Sequence, residues 1–305
     1  MTLEVSDELE HLKRVARVAG VEPPEFALPE SRHAVLEGMR FHYLDWGIEG
    51  NRVVVFLHGG AINAHTWDLV CLSLRNDYHC LALDQRGHGD SEWSPAMHYS
   101  IGDYVADIER FADRLELNDY VLIGMSLGAV VTASYASRHA GRLAAAVIID
   151  AGPDPQVAGG QRIRDFVADT TELESIDDFV DKALVFNPRR DPQLLRRSLI
   201  YNLRRTPEGR WVRKNDTRHM GSTSIERMVE DARSHWDGVS KIACPALVVR
   251  GAESDIFRAD DAEKLRDSLP HGRLVTIEGA GHSVQGDNPS ALVYSLRKFF
   301  EEIGI

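Results

Sequence analysis

The sequence is poor in cysteine and has no long apolar segment. Its three cysteines, Cys71, Cys80 and Cys244, are odd in number and match no metal-ligand spacing, so we predict buried thiols and neither a disulfide framework nor a zinc site. No run of 18 apolar residues occurs, which predicts that no helix spans a membrane. The first ten residues include four acidic residues and no apolar core. They do not resemble a secretory signal, and a cytoplasmic location is the default expectation.

Positive charge is also scarce. The chain has 35 lysine and arginine residues against 47 aspartate and glutamate residues, which gives a net charge of −12 at pH 7. Such a field repels phosphate backbones and anionic membrane surfaces, so we expect neither nucleic acid nor a membrane as a partner. A small-molecule substrate fits this charge better. The sequence does not indicate an oligomeric state.

Short apolar runs alternate with helical patterns along most of the chain. A hairpin that turns at Gly38 comes first, and six runs follow that are apolar almost throughout, as is typical of parallel strands covered on both faces. The runs are Val53–Leu57, Cys80–Leu83, Tyr120–Ile123, Ala144–Ile149, Ala246–Val249 and Leu274–Ile277. Helical patterns lie at Ile101–Leu117, Leu127–His139 and Asp260–Leu269. This alternation predicts an α/β fold with a mostly parallel sheet of eight strands.

Three regions of the chain differ in pattern. Residues 1–30 read as an N-terminal helical extension and linker, which we expect to pack on the body or, alternatively, to form a dimer contact. Residues 31–153 and 239–305 carry the strand–helix alternation. Residues 154–238 show helical faces without a strong strand, and their 15 basic and 15 acidic residues balance. We predict an inserted helical cap there.

A nucleophile motif follows one of the apolar runs. The pentapeptide Gly-Met-Ser-Leu-Gly occupies residues 124–128, between a strand pattern and a helical pattern. A sharp strand-to-helix turn exposes the central serine, and glycines two residues before and after it avoid a steric clash. The helix N-terminus favours negative charge at this place. Ser126 is therefore the predicted nucleophile.

A serine hydroxyl needs a base, and the base needs an acid that orients it. His282 lies just past the last apolar run in a glycine-rich loop, and Asp255 lies past the preceding run. Both follow strands at the edge where open α/β sheets bind ligands, in the chain order serine, acid, histidine. We predict His282 as base and Asp255 as acid. Glu253 and Asp150 remain alternatives for the acid.

Two backbone N–H groups are needed to bind the oxyanion. Leu127, directly after the nucleophile, supplies one, and the His-Gly-Gly-Ala loop at residues 58–61 supplies the other, from Gly60 or alternatively from Ala61. His58 is predicted to be structural. We also predict that Ala61, Met125 and Val284 line the substrate pocket.

Residues 34–150 and 240–303 resemble the α/β-hydrolase superfamily in their strand–helix order and in these motifs. The resemblance is to its esterase, lactonase, dehalogenase and C–C hydrolase members, and it implies that substrate enters between cap and core. Related dehalogenases and epoxide hydrolases use an aspartate where this chain has Ser126. The serine favours acyl transfer through an acyl-enzyme, which requires no metal or organic cofactor.

Three reaction classes remain open. A carboxylic-ester or lactone hydrolase is our first interpretation. A C–C bond hydrolase is the alternative, although such enzymes usually carry tryptophan after the catalytic histidine, where this chain has Ser283. A non-enzymatic receptor on the same fold is disfavoured because serine, acid and histidine candidates are all present. The arginine pairs at 189–190, 196–197 and 204–205 are either a solvated helix face or a partner for a substrate carboxylate.

Overall fold

The computed structural model describes residues 5–218, 230, 233–234 and 236–305. Its largest element is a sheet of eight strands. Its strands are β1 (Glu30–Leu36), β2 (Met39–Asp45), β3 (Val53–Leu57), β4 (His79–Leu83), β5 (Tyr120–Met125), β6 (Leu143–Ile149), β10 (Ala246–Gly251) and β11 (Gly272–Ile277). The spatial order is β1-β2-β4-β3-β5-β6-β10-β11. Strand β2 is antiparallel to β1 and β4, and the other pairs are parallel. The predicted fold class is confirmed.

Helices cover both faces of this sheet. The described helices are α1 (Val5–Val18), α2 (Asp68–Leu74), α3 (Ile101–Arg114), α4 (Leu127–His139), α5 (Val157–Asp169), α6 (Ile176–Phe186), α7 (Pro192–Asn202), α8 (Ala259–Ser268), α9 (Val284–Asp287) and α10 (Pro289–Ile303), of which α5, α6 and α7 pack in a cluster of their own away from this sheet. Alternate residues of a strand face opposite sides, so Val55 and Leu57 pack towards α3 and α4, whereas Val54 and Phe56 pack towards α2 and α10. Two cores result. None of the helices in the described ranges is long and apolar enough to cross a membrane.

An inserted segment, residues 154–238, lies between β6 and β10. It contains α5, α6, α7 and a small antiparallel sheet of order β7-β9-β8, formed by β7 (Glu172–Leu173), β8 (Leu203–Arg205) and β9 (Trp211–Arg213). The sequence predicted a helical cap without a strong strand, and the structure adds these three short strands to its helices. Strands of two or three residues are too short to produce a detectable alternation. Part of the predicted cap, residues 219–229, 231–232 and 235, lies outside the described residues.

Helix α1 joins the body to the inserted segment. Its Leu12 and Val15 are fully buried in the core that also holds α2 and α10. On another side the Tyr201 hydroxyl of α7 donates to Glu8 of α1 at 2.7 Å. The apolar stripe read from the sequence thus packs on the body, and the polar edge of the helix contacts α7.

Candidate functional site

Ser126 occupies a sharp turn between β5 and α4. Its backbone has φ 54° and ψ −115°, a strained conformation for a residue with a side chain. A Cβ at Gly124 would lie 2.0 Å from the Gly128 carbonyl oxygen, and one at Gly128 would lie 2.4 Å from the Leu57 carbonyl oxygen. Both glycines are therefore required by close backbone contact. The Ser126 N–H donates to the Ile149 carbonyl at 3.0 Å, which helps to hold the turn.

A chain of hydrogen bonds connects Ser126 to His282 and Asp150. The distance from Ser126 Oγ to His282 Nε2 is 3.0 Å, and the distance from His282 Nδ1 to Asp150 Oδ2 is 2.8 Å. A carboxylate only accepts hydrogen bonds, so Nδ1 carries the proton and Nε2 is free to accept from the serine. The structure thus brings together two of the three predicted residues, with Asp150 as the third.

Asp150 is completely buried directly after β6. Its Oδ1 accepts from the Gly251 N–H at 2.9 Å, and its Oδ2 accepts from the Ser254 hydroxyl at 2.5 Å as well as from His282. The Ser254 oxygen in turn accepts from the N–H groups of Ile256 and Phe257, each at 3.2 Å. The sequence analysis missed Ser254, because a serine in a loop after a strand carries no distinguishing signal.

The prediction of Asp255 as the orienting acid was wrong. Its carboxylate pairs with Arg162 of α5, and its side chain is 47% exposed. The turn after β10 explains this: Ser254 bonds back to the Gly251 carbonyl and points its hydroxyl at Asp150, and the next residue faces outward. Glu253, the other alternative in this loop, pairs with Arg189 of the inserted segment.

The loop after β3 lies against the serine. A Cβ at Gly59 would approach the Ser126 Cβ to 3.2 Å, so the chain passes directly beside the nucleophile candidate. The following Gly60 is exposed, and Ala61 has φ 61°. On the other side, Leu127 is the first residue of α4, whose first N–H groups have no intrahelical partner. Both predicted oxyanion donors therefore belong to backbone next to Ser126.

Buried polar contacts hold this loop in place. The His58 Nδ1 donates to the Gly59 carbonyl at 2.7 Å, and its Nε2 accepts from the Gln85 N–H at 3.0 Å. Burial lowers the pKa of His58, which favours the neutral ring that these contacts need. The Asp84 Oδ1 accepts from the Ala64 N–H at 2.7 Å. His58 has the structural position that was predicted for it.

Two of the three residues predicted to line the pocket belong to the core instead. Met125 and Val284 are 2% and 0% exposed and pack in the core that holds α2 and α10. Met125 ends β5 directly before Ser126, and its sulfur lies against Gly59, where an added Cβ would approach it to 2.8 Å. Ala61 is also buried, and its carbonyl oxygen lies 3.5 Å from Arg213 Nη1 of the inserted segment; its place in a substrate pocket stays a prediction.

Arg213 is a buried charge that the sequence did not reveal. Its Nε donates to the Thr170 carbonyl at 3.0 Å and its Nη2 to the Thr170 hydroxyl at 2.5 Å. The guanidinium also lies over the rings of Phe166 and Phe179. Burial lowers its pKa to about 10. Among the residues that the structure describes, no carboxylate lies within ion-pair distance of it.

The predicted arginine pairs divide between surface and interior. Arg196 is exposed and pairs with Asp177 within the inserted segment, whereas Arg197 is buried and donates to Asp68 of the body at 2.5 Å. Arg189 is likewise exposed, and Arg190 is largely buried. The pairs are therefore not one solvated face.

One group of side chains in the described ranges has the spacing of a metal site. Ligand atoms of His42, Asp84 and Asp90 lie within 4.8 Å of one another. Asp84 already accepts from His42 and from backbone N–H groups, and Asp90 pairs with Lys214 at 2.8 Å. This group shares no residue with the Ser126 site, and its contacts within the chain account for it without an ion.

Comparison with known proteins identifies the family of the chain. The model of the Alpha/beta hydrolase family matches residues 54–296. The chain is similar to Esterase Rv0045c of Mycobacterium tuberculosis, with 32% identity over 95% of each chain, and to a non-heme chloroperoxidase of Streptomyces lividans, with 30% identity over 86% of this chain and 96% of the relative. A crystal structure of the mycobacterial esterase superposes with a TM-score of 0.78 at 30% identity and covers 98% of this chain and 100% of that one. The chain belongs to the α/β-hydrolase family and is a hydrolase.

Proposed function

We propose that the protein hydrolyses a carboxylic ester or lactone of a small molecule through an acyl-enzyme on Ser126. The observation that carries the proposal is the hydrogen-bonded chain from Ser126 through His282 to the buried Asp150. The similarity to a mycobacterial esterase along nearly the whole chain supports the same reaction class.

The reaction follows from the positions of these groups. Ser126 Oγ attacks the ester carbonyl while His282 Nε2 takes its proton, and Asp150 stabilises the imidazolium that forms. Backbone N–H groups of Leu127 and Gly60 bind the negative oxygen of the tetrahedral intermediate. The imidazolium then protonates the leaving alkoxide. Water, deprotonated by His282, releases the acid from Ser126 and restores the hydroxyl.

The inserted segment acts as a cap that selects the substrate. It contacts the loops that follow the parallel strands: Asn63 donates to the Tyr201 carbonyl at 2.7 Å, and Asp287 of α9 accepts from Asn187 at 3.3 Å. Because these loops also carry the oxyanion donor Gly60 and the base His282, the cap controls which molecules reach Ser126.

The Ser126→Ala variant tests the proposal. It should retain its fold and lose turnover of a p-nitrophenyl ester by roughly 10³-fold or more, as removal of a triad member does. Ser268→Ala is the matched control, since Ser268 is exposed and, among the described residues, its hydroxyl bonds only to the Lys264 carbonyl. Steady-state kinetics and circular dichroism of both variants are the measurements. Turnover retained in Ser126→Ala would contradict the mechanism.

Within this class, the substrate carries an anionic group that Arg213 binds. A buried guanidinium whose described partners are all neutral is costly to keep, and this one lies beside the Ala61 carbonyl of the oxyanion loop. A substrate carboxylate would supply the missing counter-charge.

Two aryl esters of similar size separate this specificity from a structural role. Arg213→Met should lower kcat/KM for a mono-aryl succinate by roughly 10- to 100-fold, the value of a hydrogen bond to a charged group, and for an aryl butyrate by less than about threefold. Arg210→Met, which changes an exposed arginine paired with Glu172, is the control. Equal losses of kcat/KM on both esters would show that Arg213 has a structural role and does not bind the substrate.

A further inference from the structure

A second serine, histidine and aspartate are hydrogen-bonded in series at the edge of the main sheet. Ser31 Oγ lies 2.9 Å from His42 Nε2, and His42 Nδ1 lies 2.8 Å from Asp84 Oδ2. The three residues come from β1, β2 and the loop after β4. Ser31 is paired with Leu44 in the strand register, so His42 is its diagonal neighbour on the same sheet face.

This arrangement repeats the contacts of the Ser126 site. In both, the histidine Nε2 contacts a serine hydroxyl and Nδ1 contacts Oδ2 of a buried aspartate. In both, Oδ1 of the aspartate accepts from a backbone N–H group, which belongs to Gly251 for one and to Ala64 for the other. In both, Oδ2 accepts a further hydrogen bond, from the Ser254 hydroxyl or from the Asp90 N–H.

The protonation states follow from these contacts. Burial acts to raise the pKa of Asp84, but the hydrogen bonds that it accepts, first from His42 and then from the Asp90 N–H, help to lower it to about 2. Asp84 is therefore a carboxylate at neutral pH and must accept from His42 Nδ1. In the neutral tautomer that donates from Nδ1, His42 Nε2 carries no hydrogen and faces the Ser31 hydroxyl, from which it can take a proton.

The serine is accessible, whereas its partners are not. His42 and Asp84 are 3% and 2% exposed, but Ser31 lies on the solvent side of β1 and is exposed. In the described part of the chain, β1 is an edge strand with a partner on one side only. A small reagent can thus approach the Ser31 hydroxyl directly, without passing the inserted segment.

We propose that Ser31 is a second activated serine, which accepts a phosphonyl or acyl group from small electrophilic esters and fluorides. In the reaction with a fluorophosphonate, Ser31 Oγ attacks phosphorus, the O–P bond forms, the P–F bond breaks and fluoride leaves with the electron pair. The serine proton moves to His42 Nε2, and Asp84 stabilises the resulting imidazolium.

The surroundings of Ser31 limit this reaction to one equivalent. Ser31 lies inside a strand and not before a helix, so it lacks the N–H groups that α4 and the Gly59 loop present at Ser126. Each missing oxyanion donor costs about 10²- to 10³-fold in rate. Ser31 should therefore react more slowly than Ser126, and its adduct should accumulate without turnover.

The test uses the full-length Ser126→Ala variant, in which the first site cannot react. It is incubated with a small alkyl fluorophosphonate, and peptide mass spectrometry measures the labelled fraction of each serine over time. Ser31 should be labelled roughly 10²-fold faster than the exposed Ser268, since a positioned general base contributes about that factor. The second variant, Ser126→Ala with Ser31→Ala, should lose this labelled peptide.

A labelling rate at Ser31 no higher than at Ser268 would overturn the proposal. His42→Gln in the Ser126→Ala background gives a further check, because it keeps Ser31 and removes its base, and it should reduce labelling to the Ser268 rate. If that variant does not fold, the comparison of Ser31 with Ser268 still decides the question. Since Ser126 is absent throughout, the outcome is independent of the ester-hydrolase proposal.

Discussion

Of the two aspartates that the sequence offers as the orienting acid, only Asp150 contacts the imidazole of His282. It contacts His282 Nδ1, whereas Asp255 is turned towards Arg162. We expect Asp150→Asn to lower kcat by about 10⁴-fold, because the amide would favour the wrong histidine tautomer. Asp255→Asn should change kcat by less than about threefold, since it removes only an exposed ion pair.

The two variants form a matched pair, because each converts a carboxylate into an amide by replacing one oxygen with an NH2 group. Both are compared with the native protein on one aryl ester, after circular dichroism has shown that they are folded. A loss mainly in kcat would place the Asp150 contact in the transition state. If Asp255→Asn were the more damaging change, the hydrogen bonds seen around His282 would not be those of the working enzyme.

At the scale of single residues, the sequence predicts those site residues that are marked by a tight turn or by their place after a strand. It does not predict those whose role depends on the direction of a side chain. Ser126 follows from its flanking glycines, and His282 follows from its place after the last strand. Asp150 and Asp255 both follow strands, so chain order could not separate them. The deciding feature is the turn that points Ser254 inward, which depends on contacts with residues about a hundred positions away. Arg213 lies in a three-residue strand that gives no pattern.

At the scale of elements, prediction succeeded where burial is uniform. The run Val53–Leu57 and the helix Leu127–His139 have the same bounds in the structure as in the sequence analysis. A strand covered on both faces is apolar at nearly every position, so the sequence shows where the apolar run begins and ends. Strands β7, β8 and β9 are short and partly exposed. The pairing of β7 with β9 joins residues about 40 positions apart, which no local pattern records, and the β8–β9 hairpin is too short for its alternation to be detected.

The docking of α1 should depend on pH. Burial, and next the charge of Arg197, lower the pKa of His11 from 6.5 to about 4. The unfolded chain therefore binds a proton between pH 6.5 and 4 that the folded chain does not bind. The stability that His11 contributes is complete above pH 6.5 and is lost as the pH falls towards 4.

Hydrogen exchange of the α1 amides, measured at pH 7 and pH 4.5, checks this expectation after correction for intrinsic exchange rates. Native α1 should lose protection relative to α4 at the lower pH, and His11→Gln should show a smaller loss, because glutamine does not titrate. His271→Gln, which changes an exposed histidine, is the control. Equal losses in all three proteins would assign the effect to other groups.

At the scale of the whole molecule, the inserted segment is attached to the body by ion pairs of two kinds. Arg162 with Asp255 and Arg189 with Glu253 are substantially exposed, so each contributes little to stability. Arg197 with Asp68 is buried on both sides, at 5% and 2% exposure. The equal numbers of basic and acidic residues in 154–238 do not predict these ion pairs, because a count shows neither which arginine is buried nor where its partner lies.

The adjacent residues Arg196 and Arg197 therefore provide a test of how the segment is held. Arg197→Met leaves Asp68 buried with the His65 ring as a remaining side-chain partner, at 3.1 Å, and removal of one side of a buried pair costs about 3–5 kcal/mol. Arg196→Met removes only the exposed pair with Asp177 and should cost less than about 1 kcal/mol. Urea unfolding of both variants measures the difference. If the two changes were equally mild, His65 and water would be sufficient partners for Asp68, and the apolar contacts of α7 would be what holds the segment to the body.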